Sequence, residues 1–480
     1  MALVPPPAPG AIPVLGHSWA LLRQREQFFV RARDGSPVAT LRLGSRVVYL
    51  VNDLDLIRRI LHTDAGRYDR GELFARMRPY IGDNVVLADG AKHRMLRRIY
   101  RPAFTRTAVD ATVDGLAGLV RAHVGAWAPG AHDDLHGELY DLVLAMGGRV
   151  FFPAGLGEAT MRAVSEAIPG LVQGLFLRVI SPSDRLERLP LPINHRFVSS
   201  TARLTAISDT LLQQCRDSAE LGDDLVSRLL AARNPADGEP LGDEQIRAEL
   251  LALVLASSVT VAATLGWCCH FLGSHPELQD TMRREVDQVL GGRACTLADL
   301  ERLEFTRAVV KESLRCRPPL HFLSREPKED VDLAGYTVPA GSTVVFSLHA
   351  LQNDPRHFPR PELFDPHRWL DPEGGRTDPE AFLPFALGMH ACFGEHLAMN
   401  NAVLVLATIA QNWTLAPAPG TRREPRAGAV LSPGPVPMVL TPRTGPRPDS
   451  APSPQTRPTS GHGQPSTCPW GAPGGAARPH

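Results

Sequence analysis

The sequence predicts a mostly α protein with small β-sheets, an α+β chain and not a repeat array. Three observations carry that expectation. From about residue 91 to 316 apolar residues recur at i, i+3 and i+4 with Arg, Asp and Glu between them, the mark of successive amphipathic helices. Two short stretches rich in β-branched residues flank this block, at 38–53 and 330–348. No self-similarity at a fixed period runs through the chain.

The elements follow in order. The opening MALVPPPAPGAIPVLGH has no basic n-region, and prolines stand where a signal peptide carries its apolar run, so neither export nor an N-terminal anchor is expected and residues 1–7 read as a flexible lead. In VATLRLGSRVVYLVND (38–53) two alternating runs meet at Gly44-Ser45, a hairpin. Leu250–His275 runs 26 residues without Asp, Glu, Lys or Arg, long enough to cross a membrane. Ser257, Ser258, Thr260, Thr264 and His270 interrupt it and no aromatic or basic girdle flanks it, so it is expected to be a buried core helix and not a membrane span. After Pro318-Pro319 come short strands in 330–348, a Pro-rich irregular stretch to about 384, and a last long helix from about 394. From Arg443 to His480 the chain holds nine prolines, six glycines and no Ile, Leu, Val, Met or Phe, and is expected to be a disordered tail. One folded unit, 8–442, remains.

Composition narrows the functional classes. The 480 residues carry 51 basic and 51 acidic side chains, and only three of the basic ones are lysines, so no net field favours nucleic acid. With 43% hydrophobic residues the chain can bury a sizeable core. Its seven cysteines form no regular framework of the kind secreted mini-domains use, which fits a reducing cytoplasm.

The chemistry concentrates in Phe385-Ala-Leu-Gly388-Met-His390-Ala-Cys392-Phe-Gly394, followed directly by a helical pattern. A cysteine at a helix N-terminus meets unpaired amides and the positive dipole end, which favour thiolate and make the sulfur a metal ligand. Gly388 and Gly394 remove side chains that would hold the loop away from a flat ligand or from the sulfur. Two other readings stand beside this one. Cys392 could be a small buried hydrophobe, or His390, Cys392 and His396 could bind zinc, although a fourth partner at zinc-finger spacing is lacking. Cys268-Cys269-His270 reads as packing within the core helix.

FALGMHACFGEHLA resembles the Phe-x-x-Gly-x-His-x-Cys-x-Gly haem-ligand loop of the cytochrome P450 family, and four further stretches support the likeness in the family's order over residues 8–442. Glu312-Ser-Leu-Arg315, with Arg368 in FDPHRW, is similar to the family's buried Glu-x-x-Arg ion network. HRMLRRIYRPAF (93–104) resembles the helix bearing a haem-propionate arginine, which maps to Arg97 with His93 beside it. In SREPKEDVDLAGYTVPAG (324–341) Arg325 would meet the other propionate, joined by His390. The apolar helix aligns Ala256-Ser257-Ser258-Val259-Thr260-Val261 with the family's Ala-Gly-x-(Asp/Glu)-Thr-Thr: Thr260 is in place, but Val259 replaces the acid and Ser257 the glycine.

The resemblance implies a triangular helical haem domain holding haem b through the Cys392 thiolate. It implies a monooxygenase that inserts one oxygen atom from O2 into an apolar small molecule. Electrons would come from a ferredoxin and an NAD(P)H-driven ferredoxin reductase, with a cationic face around Arg94 and Arg98 suited to an acidic donor. Without an acid at Val259, protons would pass through water held by Ser257, Ser258 and Thr260. The segments that line the family's pocket contribute Phe74, Met77, Tyr80, Leu171, Leu175, Phe176 and Leu177, which suit a hydrocarbon-like guest. Whole stretches look most like bacterial members acting on terpenes such as pentalenene, with the Arg- and Pro-rich composition fitting secondary metabolism. The alternatives are a fatty-acid hydroxylase, a peroxide-using variant, or a haem-thiolate protein that binds or senses a ligand without oxygenating it.

Overall fold

A computed structural model describes residues 3–443 except 153–154, 182–186, 188, 218–223, 235–237, 371–376, 421–425 and 428–429. The expected tail therefore lies outside the described residues from 444 on. Arg443 itself is tied down, its guanidinium on Asp287 at 2.6 Å and its N–H on the Asn412 carbonyl at 2.8 Å.

Helices dominate, as the 3.6-residue periodicity requires. The centre is one helix, Asp243–Ser274, whose 32 residues span about 48 Å at 1.5 Å per residue. It packs on the helices Leu135–Phe151, Pro192–Asp217, Glu304–Cys316 and Glu395–Asn412. Being surrounded, it is apolar on all sides: from Val261 to Gly273 every residue is buried, and 72% of its most apolar window lies inside the protein. Among the described residues this is the one helix long and apolar enough to cross a membrane, and it is the core of the fold.

The main sheet has the strand order Val38–Leu43, Arg46–Val51, Thr343–Phe346, Leu323–Pro327, Tyr68–Asp69. The first pair is the expected hairpin, Leu43 opposite Arg46 across Gly44 at φ +61°. Arg46–Val51 then pairs in parallel with Thr343–Phe346, joining chain segments nearly 300 residues apart. Residues 6–8, set partly outside the folded unit on sequence grounds, lie along the sheet edge, with the Thr40 N–H donating to Pro6 O at 2.8 Å and the Ala8 N–H to Thr40 O at 2.9 Å. A second sheet, Gly130–His132, Met438–Pro442 and Trp413–Pro417, has no counterpart in the sequence reading. Its first strand is three residues long inside a helical block, too short to show alternation.

The candidate active site

The loop before the last helix is held by its backbone. Gly388 sits at φ +71°, and a Cβ there would lie 2.0 Å from the Leu61 carbonyl oxygen, so this position admits only glycine. The Cys392 N–H donates to the Phe385 carbonyl at 2.8 Å, closing the loop, and Arg97 Nη1 donates to the Ala391 carbonyl at 2.7 Å. The helix Glu395–Asn412 starts after Gly394. A Cβ on Gly394 would meet the Cys392 sulfur at 3.7 Å, ordinary contact, so the sulfur does not demand glycine there, and at Gly388 the demand comes from the Leu61 backbone and not from the sulfur.

Cys392 and Phe385 line a cavity whose empty space, mouth included, is ≈ 1710 Å³, and no other cysteine among the described residues lines it. The sulfur is open to this space and screened from bulk water. Burial pushes its thiol pKa up, aided by Glu395 and opposed by the Gly394 amide and Arg97. Desolvation thus opposes the favouring of thiolate expected at the helix end. Zinc does not fit. His396 is engaged with Asp110 at 2.7 Å, and the described residues contain no group of three His, Cys, Asp or Glu placed to hold a metal.

One wall of the cavity is cationic. Arg97, Arg325, His93 and His390 all line it, as the motifs predict, and so does Arg70, which sequence reasoning missed. Arg70 follows the two-residue strand Tyr68–Asp69, which pairs with the strand carrying Arg325, an adjacency between distant segments that leaves no local signal. Asp89 is the carboxylate of this cluster, its oxygens accepting from the Arg70 N–H and lying 3.5 Å from His390 Nε2. Burial, with Arg325 as neighbour, lowers Arg70 to about 9, and burial lowers Arg325 to about 10. His93 falls to about 3, through burial and then His390, its ring 4.4 Å away. Arg70 Nε has no hydrogen-bond partner among the described residues. Two buried guanidiniums, a half-buried third and two imidazoles against one acid form a receptor for a ligand bearing carboxylates, a donor set that fits the two propionates of a haem.

Another wall comes from the long helix. Ala256, Ser257, Thr260, Val261 and Thr264 line the cavity, with Thr260 Oγ1 donating to the Ala256 carbonyl at 3.2 Å. Ser257 has room because Gly147 faces it: a Cβ there would lie 2.8 Å from the Ser257 hydroxyl. Ser258 is a correction. One residue on, the helix has turned by about 100°, and its hydroxyl is buried on the Val254 carbonyl at 2.6 Å and beside Tyr140 Oη at 3.1 Å, away from the cavity. Val259 likewise packs into the apolar core.

Of the expected apolar lining, Phe74 faces the cavity. Met77, Tyr80, Leu171, Leu175, Phe176 and Leu177 do not: Tyr80 stacks edge-on against Phe197 at 4.7 Å, Leu171 and Leu175 fill the core, and Phe176 lines a smaller crevice. Val85, Val86, Val150, Phe151, Leu253 and Leu320 take their place.

Beneath the site, Glu312 accepts from Arg315 Nε at 3.0 Å and Nη2 at 2.9 Å, from Arg368 Nε at 3.0 Å, and from Trp369 Nε1 at 2.9 Å. Burial alone would raise this carboxyl, but the two guanidiniums and the Asp365 N–H outweigh it and hold its pKa below the ordinary range. Arg315 also donates to the carbonyls of Gln352, Pro361 and Leu363. Gln352 Oε1 in turn accepts the Leu383 N–H at 3.0 Å, so the network reaches within two residues of Phe385. The three residues named from the motif meet as expected.

This fold, with a cysteine loop facing a carboxylate-receiving cavity over a buried Glu-Arg-Arg network, defines a haem-thiolate oxygenase. The profile of the cytochrome P450 family matches residues 5–440, and the chain belongs to that family. It is 37% identical over 436 residues to cyclooctat-9-en-7-ol 5-monooxygenase of Streptomyces melanosporofaciens, covering 91% of this chain and 95% of that protein. It is 33% identical to cyclooctatin synthase of the same organism, over 91% and 95% of the two chains. With pentalenene oxygenase of Streptomyces avermitilis it shares 32% identity over 91% and 97%. The protein is a cytochrome P450 monooxygenase, and members of the family hold haem through a cysteine thiolate.

Proposed function

We propose that this enzyme hydroxylates a cyclic terpenoid of bacterial secondary metabolism, working in the cytoplasm with electrons from a ferredoxin and its reductase. The observation that carries this reading is the cavity itself: apart from Cys392, the cationic wall and the hydroxyl-bearing residues of the long helix, it is lined by apolar side chains such as Phe74, Val85, Val86, Val150, Phe151 and Leu253. Relatives whose names specify terpenoid chemistry over nearly their full length support it. Bound through Cys392, a haem supplies dioxygen activation and transfer of one oxygen atom.

The chain's own residues do the rest. Arg70, Arg97, Arg325, His93 and His390 bind the propionates and fix the cofactor's orientation. Arg97 also braces the ligand loop through the Ala391 carbonyl and lies over the Phe393 ring at 5.1 Å. Removing one such cation, as in Arg70→Met, is expected to weaken haem retention about 10- to 100-fold, the value of a charge-assisted bond of about 1.5–3 kcal/mol. Haem transfer to apomyoglobin measures it.

Thr260 and Ser257 line the cavity and hold water for proton delivery: with its own O–H donated to the Ala256 carbonyl, Thr260 Oγ1 accepts from a water, whose other proton passes inward. Thr260→Ala is expected to lower product formed per electron pair several-fold, and unchanged coupling would refute this route. Ser258→Ala is expected to leave coupling intact, since its hydroxyl faces Tyr140. The function is tested by turnover of cyclic sesqui- and diterpenes under 18O2 with a ferredoxin and reductase. One labelled oxygen per product molecule is expected, and a terpene panel returned unchanged while the protein oxidises fatty acids would overturn the substrate assignment.

A further inference from the structure

Apolar side chains are exposed unevenly over this protein. Of the fourteen large ones exposed among the described residues, seven fall within the first 22 positions. Ile12 and Gly16 exchange both backbone hydrogen bonds at 2.9 Å, so Pro13-Val14-Leu15 form the tip of a tight loop. That tip carries no polar side chain, and Val14, 91% exposed, sits at φ +66°, a conformation that costs a β-branched residue strain. The helix Ser18–Gln24 continues the surface: Ala20 and Leu21 are buried, while Trp19 and Leu22, 48% and 47% exposed, stand one turn apart on its outer side.

Backbone contacts fix this segment to the hairpin. Gly16 pairs with Leu43, and the His17 N–H donates to the Arg42 carbonyl at 2.6 Å. A Cβ on Gly16, at φ +59°, would lie 2.2 Å from that same carbonyl oxygen, so the loop cannot slide on the strand. Beneath the face, Leu21, Leu41, Leu43 and Val48 line an apolar crevice of ≈ 570 Å³.

The face carries charge of one sign. Residues 1–25 and 35–52 contain no Asp or Glu. Arg23 and Arg42 are exposed and have no carboxylate partner among the described residues, and Arg23 lies over the Trp19 ring at 5.7 Å. The acids next in the chain are engaged elsewhere, Glu26 being buried and Asp34 accepting from Arg33 at 2.8 Å. Two copies of the chain joined through this face would set arginine against arginine. A surface of lipid phosphates over acyl chains matches it: guanidiniums meet the phosphates, Trp sits at headgroup level, and aliphatic side chains enter below.

We propose that this face docks the enzyme peripherally on an anionic lipid bilayer, with Val14, Leu15, Trp19 and Leu22 entering the headgroup layer and Arg23 and Arg42 binding lipid phosphates. Nothing spans the bilayer in this arrangement, and the inference is independent of which substrate the cavity takes.

The test sediments the haem-loaded, full-length protein with vesicles of phosphatidylcholine and phosphatidylglycerol in equal parts, and with phosphatidylcholine alone. The wild type is expected to pellet with the anionic vesicles in about 50 mM salt, to bind the neutral ones at least about tenfold more weakly, and to be released in about 0.5 M salt. Val14→Ser/Trp19→Ser/Leu22→Ser should lose at least about tenfold in partitioning, the effect of leaving one such side chain unburied. Arg23→Glu/Arg42→Glu should lose at least about tenfold on the anionic vesicles, since each cation near such a surface is worth about fivefold, and should match the wild type on neutral ones. A wild type that stays in the supernatant with anionic vesicles, or a triple variant that binds them as the wild type does, overturns the inference. So does a wild type that elutes as a dimer and becomes a monomer in the triple variant, because the face is then an interface between copies. Should the triple variant fail to fold, undiminished binding by Arg23→Glu/Arg42→Glu overturns it equally.

Discussion

Replacing Cys392 by serine is expected to abolish turnover while leaving the fold in place. The loop is shaped by backbone bonds, from the Cys392 N–H to the Phe385 carbonyl and from Arg97 to the Ala391 carbonyl, and neither involves the sulfur. The cationic wall proposed to receive the propionates is equally independent of it. The variant should therefore still take up haem, in reduced amount, and lose the thiolate signature of the reduced carbon monoxide complex together with all product. Far-ultraviolet circular dichroism and that spectrum check the two halves of the statement. Retention of a thiolate-type spectrum would mean another sulfur supplies the bond, and Cys392 is the one cysteine the described structure offers at the cavity.

The second large effect is expected at Glu312. Truncation to alanine leaves Arg315 and Arg368, 0% and 5% exposed, facing each other with the Trp369 N–H and the Asp365 N–H also stranded. Breaking a buried ion pair from one side costs about 3–5 kcal/mol, enough to consume much of a domain's stability of about 5–15 kcal/mol. Glu312→Ala is expected to accumulate without haem and to unfold at markedly lower denaturant. Because the folded carboxyl titrates below its ordinary 4.5, the network's stabilisation is complete above that value and is lost as pH falls through the lowered one. The wild type should thus lose stability on acidification in a step that Glu312→Ala lacks, which denaturant midpoints measured across acid pH will show.

What could be read from the sequence divides along a physical line. Features written within one segment came through: the cysteine loop, the Glu312/Arg315 pair one helical turn apart, the hairpin at Gly44, and the all-round apolar helix. Features made by segments meeting in space did not. Arg70 joins the cationic wall only because Tyr68–Asp69 pairs with Leu323–Pro327, and the cavity's apolar residues were misassigned because which side of each helix faces inward is set by packing. Ser258 shows the limit most sharply. It sits between two cavity-facing positions in the motif, yet one residue of helical rotation sends its hydroxyl to Tyr140. The thiol of Cys392 is a further case, since the helix end was legible and the degree of desolvation opposing it was not.

The central claim, a thiolate haem beneath an apolar cavity, is tested most directly by the visible spectrum of the purified ferric protein titrated with a cyclic terpene hydrocarbon. The predicted result is a low-spin thiolate-haem spectrum that converts to high spin as the hydrocarbon displaces water from the cavity, saturating at one equivalent per haem. A haem spectrum without thiolate character would contradict the assignment of Cys392 and the family chemistry built on it.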